Sequence, residues 1–200
     1  MIKLIGVYDY TVILTYMSLF SAVFSMILAM DGKYTSAVLC IFFSGICDAF
    51  DGTVARTKKD RTEDEKSFGI QLDSLVDVVS FGVAPAFLCY CLGVDGVIGL
   101  MILCVFCMCG VCRLAFFNVL ETKRQKEEGG CNKTYRGLPI TTSSLILPVV
   151  YSLHSLVAED VFVAVLHVVL ALTAFLFVLD IPVPKLDFKK VLINIGLLRE

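Results

Sequence analysis

YTSAVLCIFFSGICDAFDGTVARTKKDRTEDEKSFGIQLDSLVDVVSFGVAPAFLCYCL, residues 34–92, is two apolar arms joined by a charged hinge, with a pair of aspartates where each arm meets the hinge. Each arm approaches the roughly 20 apolar residues that a helix needs to cross a hydrocarbon core of about 30 Å. Working outward, the same length recurs. Candidate spans run from Tyr10 to Met30, Tyr34 to Asp51, Leu72 to Leu92, Val97 to Leu120, Leu138 to Val157 and Val161 to Leu179, six in all. Backbone groups in lipid must find partners within their own segment, and no period-2 alternation suggests a barrel, so the spans are expected to be helices. The chain has 200 residues, 58% hydrophobic and 18% charged, too apolar for an ordinary soluble domain. The expected fold is all-α: one polytopic domain, residues 1–200, with six transmembrane helices in a single bundle and no internal repeat.

Lys and Arg set the orientation. With both termini in the cytoplasm, the inner side carries Lys3; Arg56, Lys58, Lys59, Arg61 and Lys66; Lys123, Arg124, Lys126, Lys133 and Arg136; and Lys185, Lys189, Lys190 and Arg199, which is 15 of the 17 basic residues. Arg113 lies inside the fourth span near the inner face and Lys33 alone falls outside, as the positive-inside rule requires. The cytoplasmic segments are then loops 52–71 and 121–137 and a tail 181–200. Within the first loop, Thr57–Ser67 balances four basic against four acidic residues and reads as a solvated connector. The second bends at Gly129 and Gly130, and Pro182 and Pro184 end the sixth helix, with the tail along the membrane surface. The outer connections, near 31–33, 93–96 and 158–160, are short enough to make neighbouring helices antiparallel. The first span follows Lys3 as a signal sequence would. It is longer than a signal core and lacks a small-x-small cleavage pattern, so it reads as a mature helix.

Other patterns carry less. Cys104, Cys107, Cys109 and Cys112 have the spacing of a zinc loop. Inside one apolar helix, 3.6 residues per turn spreads them around the cylinder, which makes them packing residues. His154 and His167 read as packing residues too, and a net charge of −2 gives no nucleic-acid signal.

The aspartates carry the chemistry. Asp48 and Asp51 are three apart at the inner end of the second span, and Asp73 and Asp77 four apart at the start of the third, so each pair shares a helix face. The two helices run in opposite senses and the pairs meet at one membrane depth, near the cytoplasmic surface. Four buried carboxylates repel and are costly at that depth. Arg56 balances one charge, but hard oxygen ligands in this number suit one or two divalent cations, Mg²⁺ or Mn²⁺. Magnesium shares its shell with substrate phosphates, which points to a phosphate-bearing substrate. Gly52 and Gly69 leave room for a ligand to approach closely.

Read together, Asp48-x2-Asp51-Gly52-x2-Ala55-Arg56-x12-Gly69-x3-Asp73-x3-Asp77 resembles the signature of the CDP-alcohol phosphotransferases, membrane enzymes that move a phosphatidyl or related group from a CDP-linked donor to an alcohol. Every fixed position is present; the gap from Arg56 to Gly69 is four residues longer than the family's usual eight. A hydrophilic loop lengthens at small entropic cost. The resemblance implies that Asp48, Asp51 and Asp73 ligate metal. It also implies that Asp77 belongs to the same metal set and is the general base. It implies a nucleotide site shaped by Asp48, Gly52, Ala55, Arg56 and Gly69, and a homodimer. The family's usual opening to the first helix is not evident around Tyr10–Thr15, and no nucleotide contact is assigned there.

Three further stretches resemble the family's phosphatidylserine synthase branch: Ser80-Phe-Gly-Val-Ala-Pro-Ala86, Arg113-Leu-Ala-Phe-Phe-Asn118 with Phe116 in place of an arginine, and Gly137-Leu-Pro-Ile-Thr-Thr142. The implied reaction joins CDP-diacylglycerol and L-serine to give phosphatidylserine and CMP at the cytoplasmic face of the cell membrane. A base must take the serine hydroxyl proton, and a cation must hold the serine carboxylate. Arg113 is the leading candidate for that cation, its other reading being a partner for an aspartate; Arg136 is the second candidate, and Asn118 and Thr141 are candidate hydrogen-bonding groups. Two alternatives stand beside this one. A glycerol 3-phosphate or inositol phosphate acceptor would call for a denser basic pocket, and a cation transporter would need acidic residues through the whole membrane depth.

Overall fold

The computed structural model describes residues 6–58, 60–126 and 134–184. In chain order it comprises a 3₁₀ turn at Tyr10–Val12 and the helices α1 (Ile13–Met30), α2 (Tyr34–Ala55) and α3 (Glu63–Asp77). A π-helical turn (Val78–Val83), α4 (Ala84–Cys91) and α5 (Gly96–Lys126) follow, then β1 (Thr134–Arg136), a 3₁₀ turn (Ile140–Thr142), α6 (Ser143–Tyr151), α7 (Glu159–Val178) and β2 (Pro182–Pro184). The fold is a helical membrane bundle, as expected. Its two short strands pair antiparallel, Tyr135 opposite Val183, and fasten the second loop to the end of α7.

Five of the described helices are long and apolar enough to cross a membrane: Tyr10–Met30, Tyr34–Ala55, Glu63–Cys91, Gly96–Leu120 and Glu159–Val178. The fifth expected span, Leu138–Val157, is not a helix of that length. Its apolar helix covers Ile140–Tyr151, about 18 Å at 1.5 Å per residue. Pro139 precedes it in extended conformation, and beyond Tyr151 the chain continues in turns, with Ser152 Oγ bonded back to Val149 O at 2.6 Å.

Large side chains face outward along every long helix, Phe20, Met30, Val97, Met108, Val168 and Phe175 among them. Apolar exposure on this scale is what lipid permits and water does not. Inside, Phe81, Phe106, Phe162, Phe177, Ile41, Leu88 and Ile140 are fully buried.

The α1–α2 pair shows why the bundle holds its register. Ser18, Ser21, Ala22, Ser25 and Ala29 recur along one buried face of α1 and let α2 approach closely. Lipid tails are as apolar as leucine, so small residues and interhelical hydrogen bonds drive such packing. Ser21 Oγ donates to Cys40 O and Ser25 Oγ to Ala37 O, both at 2.8 Å, and Ser18 and Ser44 pair their hydroxyls at 2.7 Å. Gly45 is the matching contact on the other side of α2: a Cβ there would lie 2.2 Å from Ser144 Oγ.

The third span widens into a π turn immediately after Asp77. Pro85 has no N–H to continue the ladder, and the backbone adapts: Ala84 N–H reaches Val79 O, five residues back. Ser143 Oγ supplies the carbonyl of Phe81 with a donor at 2.8 Å. Gly93, at φ +100°, then turns the chain into α5 in a conformation open to glycine.

Several boundaries on the side of the aspartates differ from expectation toward more helix, and α2 itself runs to Ala55, beyond the expected end at Asp51. The connector read at Thr57–Ser67 is helical from Glu63, because Thr62 and Glu65 form a reciprocal capping box and Glu63, Asp64 and Glu65 complement the helix dipole. Likewise α5 continues to Lys126, beyond the expected end at Leu120. The tail expected along the membrane surface lies outside the described residues from 185 onward, as do Gly129 and Gly130.

Candidate active site

Asp48 and Asp51 project from the last turns of α2, and Asp73 and Asp77 from the last turns of α3. One carboxylate oxygen each from Asp48, Asp73 and Asp77 lies within 4.8 Å of the others, a grouping that can hold a metal ion. Asp77 is the most deeply buried of the four, at 7% exposure. The pairs interlock across the helices: the Asp48 and Asp77 carboxyl groups are close neighbours, and so are those of Asp51 and Asp73. Carboxylates this close repel one another unless a cation lies between them, and hard oxygen donors of this kind match Mg²⁺ or Mn²⁺. The donor set fits a divalent ion. Asp51, expected among the metal ligands, stands outside the converged trio and accepts from Thr15 Oγ1 at 3.1 Å.

A layer of buried hydroxyls underlies the carboxylates. Ser18 of α1 bonds Ser44 of α2, and Ser18 Oγ also lies 3.4 Å from Ser80 Oγ in the π turn. Ser44 is four residues before Asp48, and Ser80 three after Asp77. The trio thus joins the three elements one helical turn from the site. Sequence reading missed Thr15 and this trio. Their signal was present as the repeat Thr11, Thr15, Ser18, Ser25 along one face of a helix otherwise apolar.

The remaining candidates divide. Arg113 on α5 is half-buried, acts electrostatically on Asp48, and lies over the Phe117 ring with 5.3 Å between Cζ and the ring centroid. Asn118 is near the third span, its Oδ1 accepting from Ser74 Oγ at 3.0 Å, next to Asp73. Gly52 has open space where a Cβ would be, room that a ligand could use. Arg56 is exposed at the C-terminal cap of α2 and, among the described residues, forms no salt bridge with an aspartate. Thr141 is half-buried in the turn before α6, and its carbonyl accepts from Ser144 Oγ at 2.7 Å. Arg136 belongs to β1, and its side chain lies outside the described residues.

On the cytoplasmic side of the site, by the expected orientation, Asp9 and Lys58 clamp the first loop to the chain's start. Lys58 Nζ lies 2.9 Å from Asp9 Oδ2 and 3.2 Å from Glu65 Oε1. Hydrogen bonds from Thr11 and the Lys58 ammonium hold the Asp9 carboxyl down at about 2.

The packing readings of the other motifs agree with the structure. Cys104 and Cys112 are exposed on α5 while Cys107 and Cys109 are half-buried, so the four do not converge. His154 stacks on Tyr151 and meets Phe162 edge-on, and His167 Nδ1 pairs with Val163 O at 2.8 Å.

The family model for CDP-alcohol phosphatidyltransferases matches residues 11–179. The chain belongs to that family. Among relatives of this CDP-alcohol phosphatidyltransferase, a CDP-diacylglycerol–serine O-phosphatidyltransferase of Saccharomyces cerevisiae is 37% identical over 149 residues, 72% of this chain and 52% of the relative. An archaetidylserine synthase of Methanothermobacter thermautotrophicus is 36% identical over 132 residues, 66% of this chain and 52% of the relative. A CDP-diacylglycerol–serine O-phosphatidyltransferase of Methanocaldococcus jannaschii is 41% identical over 107 residues, 54% of this chain and 46% of the relative. The chain therefore spans about half the length of the curated relatives it matches.

Proposed function

We propose that this CDP-alcohol phosphatidyltransferase is a phosphatidylserine synthase, transferring the phosphatidyl group of CDP-diacylglycerol to the hydroxyl of L-serine with release of CMP. The observation that carries the proposal is the convergence of Asp48, Asp73 and Asp77 at one end of a membrane bundle. The relatives' names add serine as the acceptor they share, whether the lipid is a diacylglycerol or an archaeal one.

Asp48, Asp51, Asp73 and Asp77 would hold the divalent ions, Mg²⁺ or Mn²⁺, and these would supply charge neutralisation at the donor's pyrophosphate. The protein's own groups do the rest. Asp77, deepest in the site, accepts the serine hydroxyl proton as the serine oxygen bonds to the lipid-side phosphorus. The bond from that phosphorus to the CMP oxygen breaks, and the electron pair leaves on CMP. Ala55 and the open space over Gly52 admit the nucleotide at the end of α2, with Asp48 and Arg56 around it and Gly69 shaping the site from α3, one turn before Asp73. Thr15 orients Asp51 toward Asp73. Arg113 is held toward Asp48 by charge and stacked on Phe117, so a cation already faces the site where the serine carboxylate must sit; Asn118, Arg136 and Thr141 complete the acceptor side.

Six crossings with both termini in the cytoplasm follow if Ile140–Tyr151 and the turns after it complete the fifth passage. Tyr151 Oη pairs with Thr35 Oγ1 at 3.2 Å, and Thr35 is at the end of α2 away from the aspartates, which supports that path. On this reading the site opens to the cytoplasm from the cell membrane, and the enzyme works as a homodimer.

Acceptor choice is the test. With CDP-diacylglycerol and Mg²⁺ or Mn²⁺, labelled serine should enter lipid in step with CMP release. A better rate with glycerol 3-phosphate or an inositol phosphate would overturn the serine assignment and leave the transfer chemistry standing.

A further inference from the structure

The lengthened loop between Arg56 and Gly69 has no part in the chemistry above, yet it is firmly tied down. Lys58 bridges Asp9 and Glu65, Thr57 Oγ1 bonds Tyr10 Oη at 3.3 Å, and the Thr62–Glu65 capping box starts α3. What this fixed loop delivers is Arg61. A Cβ on Gly69 would lie 2.6 Å from Arg61 Nη2, so the space the glycine leaves on α3 is taken by a guanidinium of the same chain. One of its N–H groups is spent: Nη2 donates to Glu65 O at 3.1 Å. Its Nε is shut off from solvent with no acceptor among the described residues.

Gly69, Asp73 and Asp77 follow one another at four-residue steps along one face of α3, so Gly69 is about 6 Å along the axis from Asp73. Arg61 therefore sits one turn from the carboxylate site, in line with it. Four carboxylates need cations from several directions, and a guanidinium offers its planar fork of donors to phosphate oxygens two at a time.

We infer that Arg61 is a donor-binding residue, contacting the diphosphate of the nucleotide-linked substrate, and that Gly69 serves in this chain to seat it. The inference rests on the transfer reading proposed above. It assigns a task to the four extra residues: they carry a cation to a notch that a shorter loop would leave open to the ligand itself.

CDP titrated into the chain of residues 1–200 in detergent with Mg²⁺, read by the shift in melting temperature, tests Arg61 without an acceptor. Arg61→Ala should weaken CDP binding roughly 10- to 100-fold, the range for losing hydrogen bonds to a charged group. Arg61→Lys, which keeps the charge and the stem, should recover part of it, and the KM for serine should stay within about twofold in both. Gly69→Ala should weaken CDP binding when Arg61 is present and add little in the Arg61→Ala background. Equal CDP affinity in wild type and both Arg61 variants would overturn the inference. So would a Gly69→Ala effect of the same size in both backgrounds, which would mean that the glycine makes room for nucleotide directly. A third contrary outcome is an Arg61→Ala enzyme with normal CDP affinity but altered dependence on added phosphatidylglycerol, which would assign the guanidinium to a lipid headgroup. Wild-type protein that fails to bind CDP would overturn the donor reading, and the inference with it.

Discussion

The two ends of the bundle are built from the same apolar helices and treat polar groups in opposite ways. At one end, carboxylates from α2 and α3 converge, with Thr15, Arg113 and a serine trio arranged around them. At the other, Tyr151, His154 and Phe162 pack ring against ring, and no group of acidic, histidine or cysteine side chains among the described residues converges there. A permeation path would need ligands at both ends and between them. Carboxylates that converge at one end alone, among the described residues, suit a reaction whose lipid tails remain in the bilayer while its head groups meet at the surface.

Changing the charged end should have the largest effect. Asp77→Asn removes the proposed base and should lower CMP release by roughly 10²- to 10⁴-fold, measured under saturating serine and donor. Asp48→Asn or Asp73→Asn should act as severely and also weaken Mg²⁺ or Mn²⁺ binding, followed by metal-dependent thermal stabilisation.

A step below the carboxylates, the packing that holds their helices is the next target. Gly45→Ala puts a methyl group 2.2 Å from Ser144 Oγ; overpacking of this kind costs about 1–3 kcal/mol and should appear as a lower melting temperature. Thr15→Val keeps the shape but removes the donor to Asp51. It should weaken metal binding by roughly tenfold, as expected for one hydrogen bond to a charged group.

Acid should loosen the clamp outside the membrane before it reaches the core. The Asp9 carboxyl is held at about 2, below its ordinary 3.8, so its contribution is complete above the ordinary value. It is lost as pH falls from about 4 toward 2. Amide exchange around Tyr10 and Lys58 should rise over that window, and Asp9→Asn should flatten the response. At the far end, His154→Ala should change CMP release by less than about twofold, because surface substitutions away from a site rarely matter. A large effect there would break the contrast between the two ends.

The contrast itself was legible in the sequence, since charge and apolar length alone place Asp48, Asp51, Asp73 and Asp77 at one depth. What stayed hidden depends on partners distant in the chain. The π turn after Asp77 follows from Pro85 together with Ser143, nearly 60 residues away. The short helix at Ile140–Tyr151 passed for a full span because apolar length does not report where the chain turns. The start of α3 was a different failure. Thr62 and Glu65 spell a capping box, but the balanced charges around them read as solvated loop. Arg61 on Gly69 needed the same helix to be recognised first.

The most direct test of the account is a paired assay in one preparation: transfer of labelled L-serine to CDP-diacylglycerol and release of CMP, with Mg²⁺ or Mn²⁺, for wild type and Asp77→Asn. The account predicts serine-dependent CMP release that vanishes with chelator and falls by orders of magnitude in the variant. Undiminished release in Asp77→Asn, or metal-dependent ion flux with no serine in lipid, would contradict it.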